Sequence, residues 1–126
     1  MKNIAILMGG YSSEADVSLK SAATVVECLD KNKYRPYPIL IAKDRWVYTD
    51  AQGQEFAIDK NDFSLTLAGE KITFACAFNA IHGTPGEDGH LQAYFSFVGV
   101  PITGCSMYAS ALTFNKRDML SVLKSY

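Results

Sequence analysis

Two short segments of the chain gather residue types suited to a small charged molecule. In the first, Gly9-Gly10-Tyr11-Ser12-Ser13-Glu14, a glycine pair is followed by hydroxyls and a carboxylate. Glycines let a ligand approach the backbone, and a helix starting just beyond them offers N–H groups to an anion. Glu14 has two readings, a favourable partner for the helix dipole or a carboxylate that holds an ammonium group. In the second, His82-Gly83-Thr84-Pro85-Gly86-Glu87-Asp88-Gly89, an imidazole opens a loop holding three glycines. A histidine in such a loop is well placed to meet a ligand, whereas Glu87 and Asp88 suit the cap of a following helix. A third loop, Gly104-Cys105-Ser106, adds little chemistry of its own: Ser106 is an N-cap type, and Cys105 has no general base near it in sequence. Lys116, after Asn115, is a lysine at a helix start, solvated unless it reaches a ligand.

The elements around these segments decide whether they meet. Ile4-Ala5-Ile6-Leu7-Met8 is a continuous apolar run ended by Gly9-Gly10, as in a buried parallel strand. Ser13-Glu14-Ala15-Asp16 reads as a capping box, and the helix it opens is expected to turn Val17, Val25 and Leu29 inward. Tyr37 to Ile41 supplies the next strand and completes a βαβ unit. Trp46 to Tyr48 with Glu55 to Ile58, and Leu65 to Leu67 with Ile72-Thr73, read as antiparallel hairpins that decorate the sheet. Phe74 to Ile81 is expected to be a buried strand ending at His82, followed by an amphipathic helix through Leu91, Tyr94, Phe95 and Val98, stopped by Gly99. A short strand at Val100-Pro101-Ile102, a small helix over Ser106 to Leu112 and a helix from Lys116 to Tyr126 complete the pattern. The alternation predicts an α/β fold with a mainly parallel sheet flanked by helices. Open sheets of that kind bind ligands beyond the carboxyl ends of their strands, so Gly9, Gly10, Glu14, His82 and Gly104 are expected on one rim.

Composition narrows the partners. The chain has 126 residues, 48% hydrophobic and 20% charged, with a formal net charge of −1. These values suit one globular domain and give no electrostatic reason to expect nucleic acid or an anionic membrane. Cys28, Cys76 and Cys105 are too widely spaced for a zinc knuckle or a disulfide framework, and Cys28 and Cys76 read as small core residues in a reducing compartment. The apolar run after Met1 is too short for a signal segment or a membrane span, so a cytoplasmic location is expected. The dinucleotide fingerprint, a Walker lysine loop and an acid cluster suited to magnesium are all missing. Met119, Leu120 and Leu123 form an apolar stripe with no C-cap glycine behind it, which reads as a fragment of a longer protein.

Taken together, the segments resemble the D-alanine–D-alanine ligases of the ATP-grasp group. Gly9 to Glu14 followed by Val17-Ser18-Leu19-Lys20-Ser21-Ala22 is similar to that family's first signature, and His82 to Gly89 followed by Leu91-Gln92 to its second. Gly104 and Ala109-Ser110-Ala111-Leu112, with Lys116 soon after, resemble the close of its first domain. Ala15, Ala93, Ile102 and Asn115 depart from the family pattern without removing an implied contact. The resemblance implies a Rossmann-like amino-terminal substrate-binding domain over residues 1–126, with the ATP-binding and catalytic domains beyond it. It implies an enzyme that uses ATP and magnesium to join two D-alanines through an acyl phosphate for peptidoglycan synthesis, and a homodimer when full length. By the same resemblance the catalytic positions are Glu14, near the ammonium of the first D-alanine, and His82, near its carboxylate. Val17, Ser18, Gly9 and Gly10 line the pocket, and Lys116 reaches nucleotide phosphate. The fragment alone is expected to be inactive. A D-alanine–D-lactate type ligase, another ATP-grasp ligase and a non-catalytic small-ligand module remain as alternatives.

Overall fold

The computed structural model describes residues 1–11, 13, 15–86 and 88–104. The elements run β1 (Lys2–Gly9), α1 (Ala15–Cys28), β2 (Tyr34–Ile41), β3 (Trp46–Thr49), β4 (Glu55–Ala57), β5 (Leu65–Leu67), β6 (Glu70–Ile72), β7 (Cys76–Asn79) and α2 (His90–Val98). Five strands form one sheet in the order β4-β3-β2-β1-β7. β1 is paired in parallel on both edges, with Leu7 opposite Ile39 of β2 and Asn79 of β7. It therefore lies at the sheet's centre, which is why its apolar run is unbroken rather than alternating. Alternate β1 residues feed two cores. Ala5 and Leu7 face a large cluster with Ile39, Phe63, Leu91 and Phe95, while Ile6 faces Ala22 and Ala80.

α1 covers the second face. Its stripe is Ser18 and Ala22, both buried, with Val25 half-buried in line. Val17, expected to point inward, is 53% exposed. At 100° per residue, the stripe that puts Ser18 and Ala22 against the sheet turns position 17 away from it. Cys28, expected in the core, is likewise exposed at the helix end, and Cys76 is only half-buried.

The expected hairpins form, but they do different work. β3 and β4 continue the main sheet as antiparallel strands, with Leu40 of β2 opposite Val47. β5 and β6 make a separate two-stranded sheet. The chain around them closes the large core with aromatic rings. Phe63, fully buried, lies 4.6 Å from Phe95, 5.5 Å from Phe74, 6.1 Å from Tyr94 and 6.3 Å from Trp46, centroid to centroid. The Tyr94 hydroxyl donates to the Lys60 carbonyl at 2.6 Å, and burial, with Asp62 and Asp59 nearby, pushes its pKa up to about 12.

The strand expected from Phe74 to Ile81 is shorter. β7 stops at Asn79, whose side-chain carbonyl accepts the Ile81 amide at 3.2 Å and bends the chain off the ladder. Phe74 turns instead into the aromatic cluster. The segment at Val100 to Ile102 is a single parallel bridge, Ala77 to Ile102, rather than a strand. α2 begins after Gly89 and ends at Gly99, whose φ of 79° is the left-handed stop expected of that glycine. The helices expected over Ser106 to Leu112 and Lys116 to Tyr126 lie outside the described residues.

Phe63→Ala should lower stability by about 3–5 kcal/mol, because the ring fills a site closed on all sides. Urea unfolding monitored by Trp46 fluorescence measures it, and a loss under about 1 kcal/mol would mean the aromatic cluster is not the main closure of this core.

Candidate functional site

The rim is made where β1 runs out. Gly9 and Gly10 both adopt positive φ, 94° and 91°. A Cβ on Gly10 would sit 2.7 Å from Ile81 Cγ2 and 3.1 Å from the Thr84 carbonyl oxygen, so only glycine lets the connector after β7 press against this turn. Three successive amides tie the turn to three distant pieces of chain. The Gly9 N–H donates to Ser18 Oγ at 2.9 Å, that of Gly10 to the Ile41 carbonyl at 2.8 Å, and that of Tyr11 to the Thr84 carbonyl at 2.9 Å. These donors are occupied within the protein, so the anion-holding capacity expected just past Gly10 does not reside in them.

The connector from Asn79 to Gly89 is held as firmly. The Ala80 amide donates to the Leu7 carbonyl at 3.0 Å, and Ser18 Oγ donates to the Ala80 carbonyl at 2.7 Å. Asn79 Nδ2 and Gln92 Nε2 both donate to the Gly86 carbonyl at 2.8 Å. A Cβ on Gly86 would lie 2.7 Å from Ile81 Cβ, so the loop folds back on its own start. Thr103 Oγ1 accepts the Asn79 amide at 3.0 Å and brings the chain leading into Gly104 to the same end of the sheet. Asp88 opens α2: its carboxylate accepts the His90 amide at 3.2 Å and meets His90 Nδ1 at 2.7 Å. Burial alone would raise its pKa, but hydrogen bonds from Thr84 and His90 outweigh that and hold it below the usual carboxylate value.

His82 stands three residues beyond β7, half-buried, with Nε2 3.4 Å from Ser21 Oγ on α1. Gly9, Gly10 and His82 thus share one rim, at the point where the chain leaves β1 for one neighbouring strand and returns on the other side. Gly104, with φ of 108°, follows the segment bridged to β7. Exposed Val17 lies in the first turn of α1, the end of the helix that follows this rim. Ser18 comes next on that helix. It is fully buried, and its hydroxyl bridges the Gly9 amide and the Ala80 carbonyl. Ser12, Glu14, Glu87, Cys105 and Lys116 lie outside the described residues. A cleft of about 550 Å³ beside the rim is lined by Tyr11, Thr84, Pro85, Trp46, Leu91 and Tyr94, and His82 is not in its wall.

Sequence reasoning passed over Asn79, Ser21 and Thr103. Asn79 carried a signal, an amide inside an otherwise apolar run. Thr103 carried none and Ser21 only its place in the first signature, since each matters through a neighbour distant in sequence.

Ser18→Ala should cost about 1–3 kcal/mol, because it strands a buried amide and a buried carbonyl together. Chemical denaturation checks this, and a loss within experimental error would mean that water replaces the hydroxyl at both bonds.

A family model described as D-ala D-ala ligase N-terminus matches residues 3–105. A D-alanine–D-alanine ligase of Flavobacterium johnsoniae is 64% identical over 126 residues, all of this chain and 39% of that protein. The crystal structure of D-alanyl-alanine synthetase A from Vibrio cholerae superposes with a TM-score of 0.86 at 30% identity, over 98% of this chain and 37% of that one. A D-alanine–D-alanine ligase from Bacillus anthracis, complexed with ATP, superposes with a TM-score of 0.70 at 27% identity, over 99% of this chain and 36% of that one. The chain therefore spans well under half the length of the relatives it matches. With β1, its glycine turn and the His82 loop all inside the matched residues, the chain belongs to the D-alanine–D-alanine ligase family, as its amino-terminal domain.

Proposed function

We propose that this chain is the first-substrate wall of an ATP-dependent ligase that joins two D-alanines for peptidoglycan synthesis. The observation that carries the reading is the meeting of the Gly9-Gly10 turn with the His82 connector, through the Tyr11–Thr84 hydrogen bond and the Gly10–Ile81 contact. A free amino acid carries a positive and a negative end a few ångströms apart. Glu14, following the first turn, complements the ammonium, and His82 complements the carboxylate. Val17, exposed in the first turn of α1, offers the methyl-sized apolar contact such a substrate needs. Gly9 and Gly10 let Leu40 and the connector pack against the turn, while Ser18 fixes its position from beneath.

No group of three or more His, Cys, Asp or Glu among the described residues could hold a metal ion. Lys116 is proposed to reach nucleotide phosphate, with the remaining contacts in the parts of the longer protein that this chain does not span. A homodimer is also proposed, and Phe97, 95% exposed on α2, is the surface residue that supports it. A cytoplasmic location is proposed, and no described helix is long and apolar enough to cross a membrane.

The full-length protein, given ATP, magnesium and D-alanine, should release phosphate and form D-alanyl-D-alanine, whereas the 126-residue chain alone should release none. In the full-length protein, Glu14→Gln should raise KM for the first D-alanine, and Lys116→Ala should raise KM for ATP about tenfold or more, as loss of a charge-assisted contact does. Phosphate release without dipeptide, or no dependence on D-alanine, would overturn the reading.

A further inference from the structure

His82 sits on a connector rather than on a regular element, so something must hold its ring. The element packed beneath it is α1. Ser18 and Ser21 are three residues apart on that helix, on neighbouring positions of one face. The first fixes the backbone of the connector, with Oγ donating to the Ala80 carbonyl at 2.7 Å. The second meets the side chain two residues later, with Oγ 3.4 Å from His82 Nε2. Ser18 is fully buried and Ser21 half-buried.

We propose that Ser21 is a positioning residue for His82, holding the imidazole by its Nε2 edge on a connector whose place is set by Ser18. The inference rests on the reading of His82 as a contact for the first D-alanine's carboxylate. The two serines divide the task. Ser18 acts on main chain alone and sets where residue 80 lies. Ser21 acts on the ring and sets which way it faces. At 3.4 Å the contact is long for a hydroxyl–imidazole hydrogen bond. Such contacts shorten when a ligand engages the other side of the ring. A hydroxyl also accepts as readily as it donates, so Ser21 can pair with Nε2 in either tautomer. Position 21 needs a hydroxyl, and alanine there would leave the packing almost unchanged.

The test uses the full-length protein with Ser21→Ala and Ser21→Thr, the second keeping the hydroxyl. Ser21→Ala should raise KM for the first D-alanine about threefold to tenfold, the worth of one hydrogen bond, and leave KM for ATP and the melting temperature unchanged. Ser21→Thr should restore the wild-type value. Long-range proton–nitrogen correlation spectra of the imidazoles, with His82→Gln to assign the signal, should show the His82 ring nitrogens shifted in Ser21→Ala and restored in Ser21→Thr. Unchanged D-alanine kinetics and unchanged ring-nitrogen shifts would overturn the proposal while the ligase reading stands. Equal losses in Ser21→Ala and Ser21→Thr would overturn it too, since the hydroxyl would not be the operative group. If the full-length protein makes no dipeptide, the ligase reading falls, and the ring-nitrogen shifts still decide whether Ser21 orients His82.

Discussion

β1 has a parallel neighbour on each edge, and everything at the rim follows from that. A parallel neighbour cannot be reached by a tight turn, because the chain must travel back along the sheet before pairing again. To reach β2 the chain passes through α1 on one face. To reach β7 it passes through the antiparallel hairpins, on the far side of β2 and on the opposite face. Because β1 and β7 run parallel, the chain leaves both at the same end. Two loops with no sequence relation are thereby forced together, and the gap between them is where an open sheet of this kind admits a ligand.

What keeps the gap in one shape is polar and largely backbone-directed. The glycine turn is tied to α1, to the end of β2 and to the connector, while Asn79 and Gln92 both hold the Gly86 carbonyl. Glycine at position 10 allows the two loops to close to contact, and a fully buried serine supplies the bridge that a water would otherwise have to make. Gln92 completes this only partly, since its Oε1 is buried with no hydrogen-bond partner. The positions without side chains and the buried small hydroxyl thus do as much as the residues expected to touch a ligand.

The long elements were legible in the sequence because their signals are local. An unbroken apolar run at Ile4 to Met8 can only be central, and Gly99 stops a helix wherever it follows one. The hairpins were legible from their turns, but which of them joins the main sheet was not, since that depends on strand partners far away. Phe74 to Ile81 reads as one strand because Phe74, Ala80 and Ile81 are as apolar as a strand residue should be, and burial in a loop gives the same composition as burial in a strand. Valine at position 17 invites an inward expectation, whereas the buried stripe is built on Ser18 and Ala22, residues whose small size lets the helix lie close to β1. At the rim, Gly9, Gly10 and His82 could be named from residue type and position. The function of Ser18 could not, because a serine in a helix looks the same whether it faces solvent or bridges a strand end and a connector.

The glycine turn has a kinetic consequence. A segment with two glycines and a following hydroxyl pair has the composition of a mobile loop, whose amide protons trade with solvent by small local fluctuations. Here each successive proton from Gly9 to Tyr11 is anchored to a different element, so no single local opening frees all three. Their exchange requires the helix, the strand end and the connector to separate, which ties the turn to the slow, cooperative opening of the sheet. A turn anchored in this way from Gly9 to Tyr11 is already ordered, and little of its ordering entropy would be left to lose on contact with a ligand.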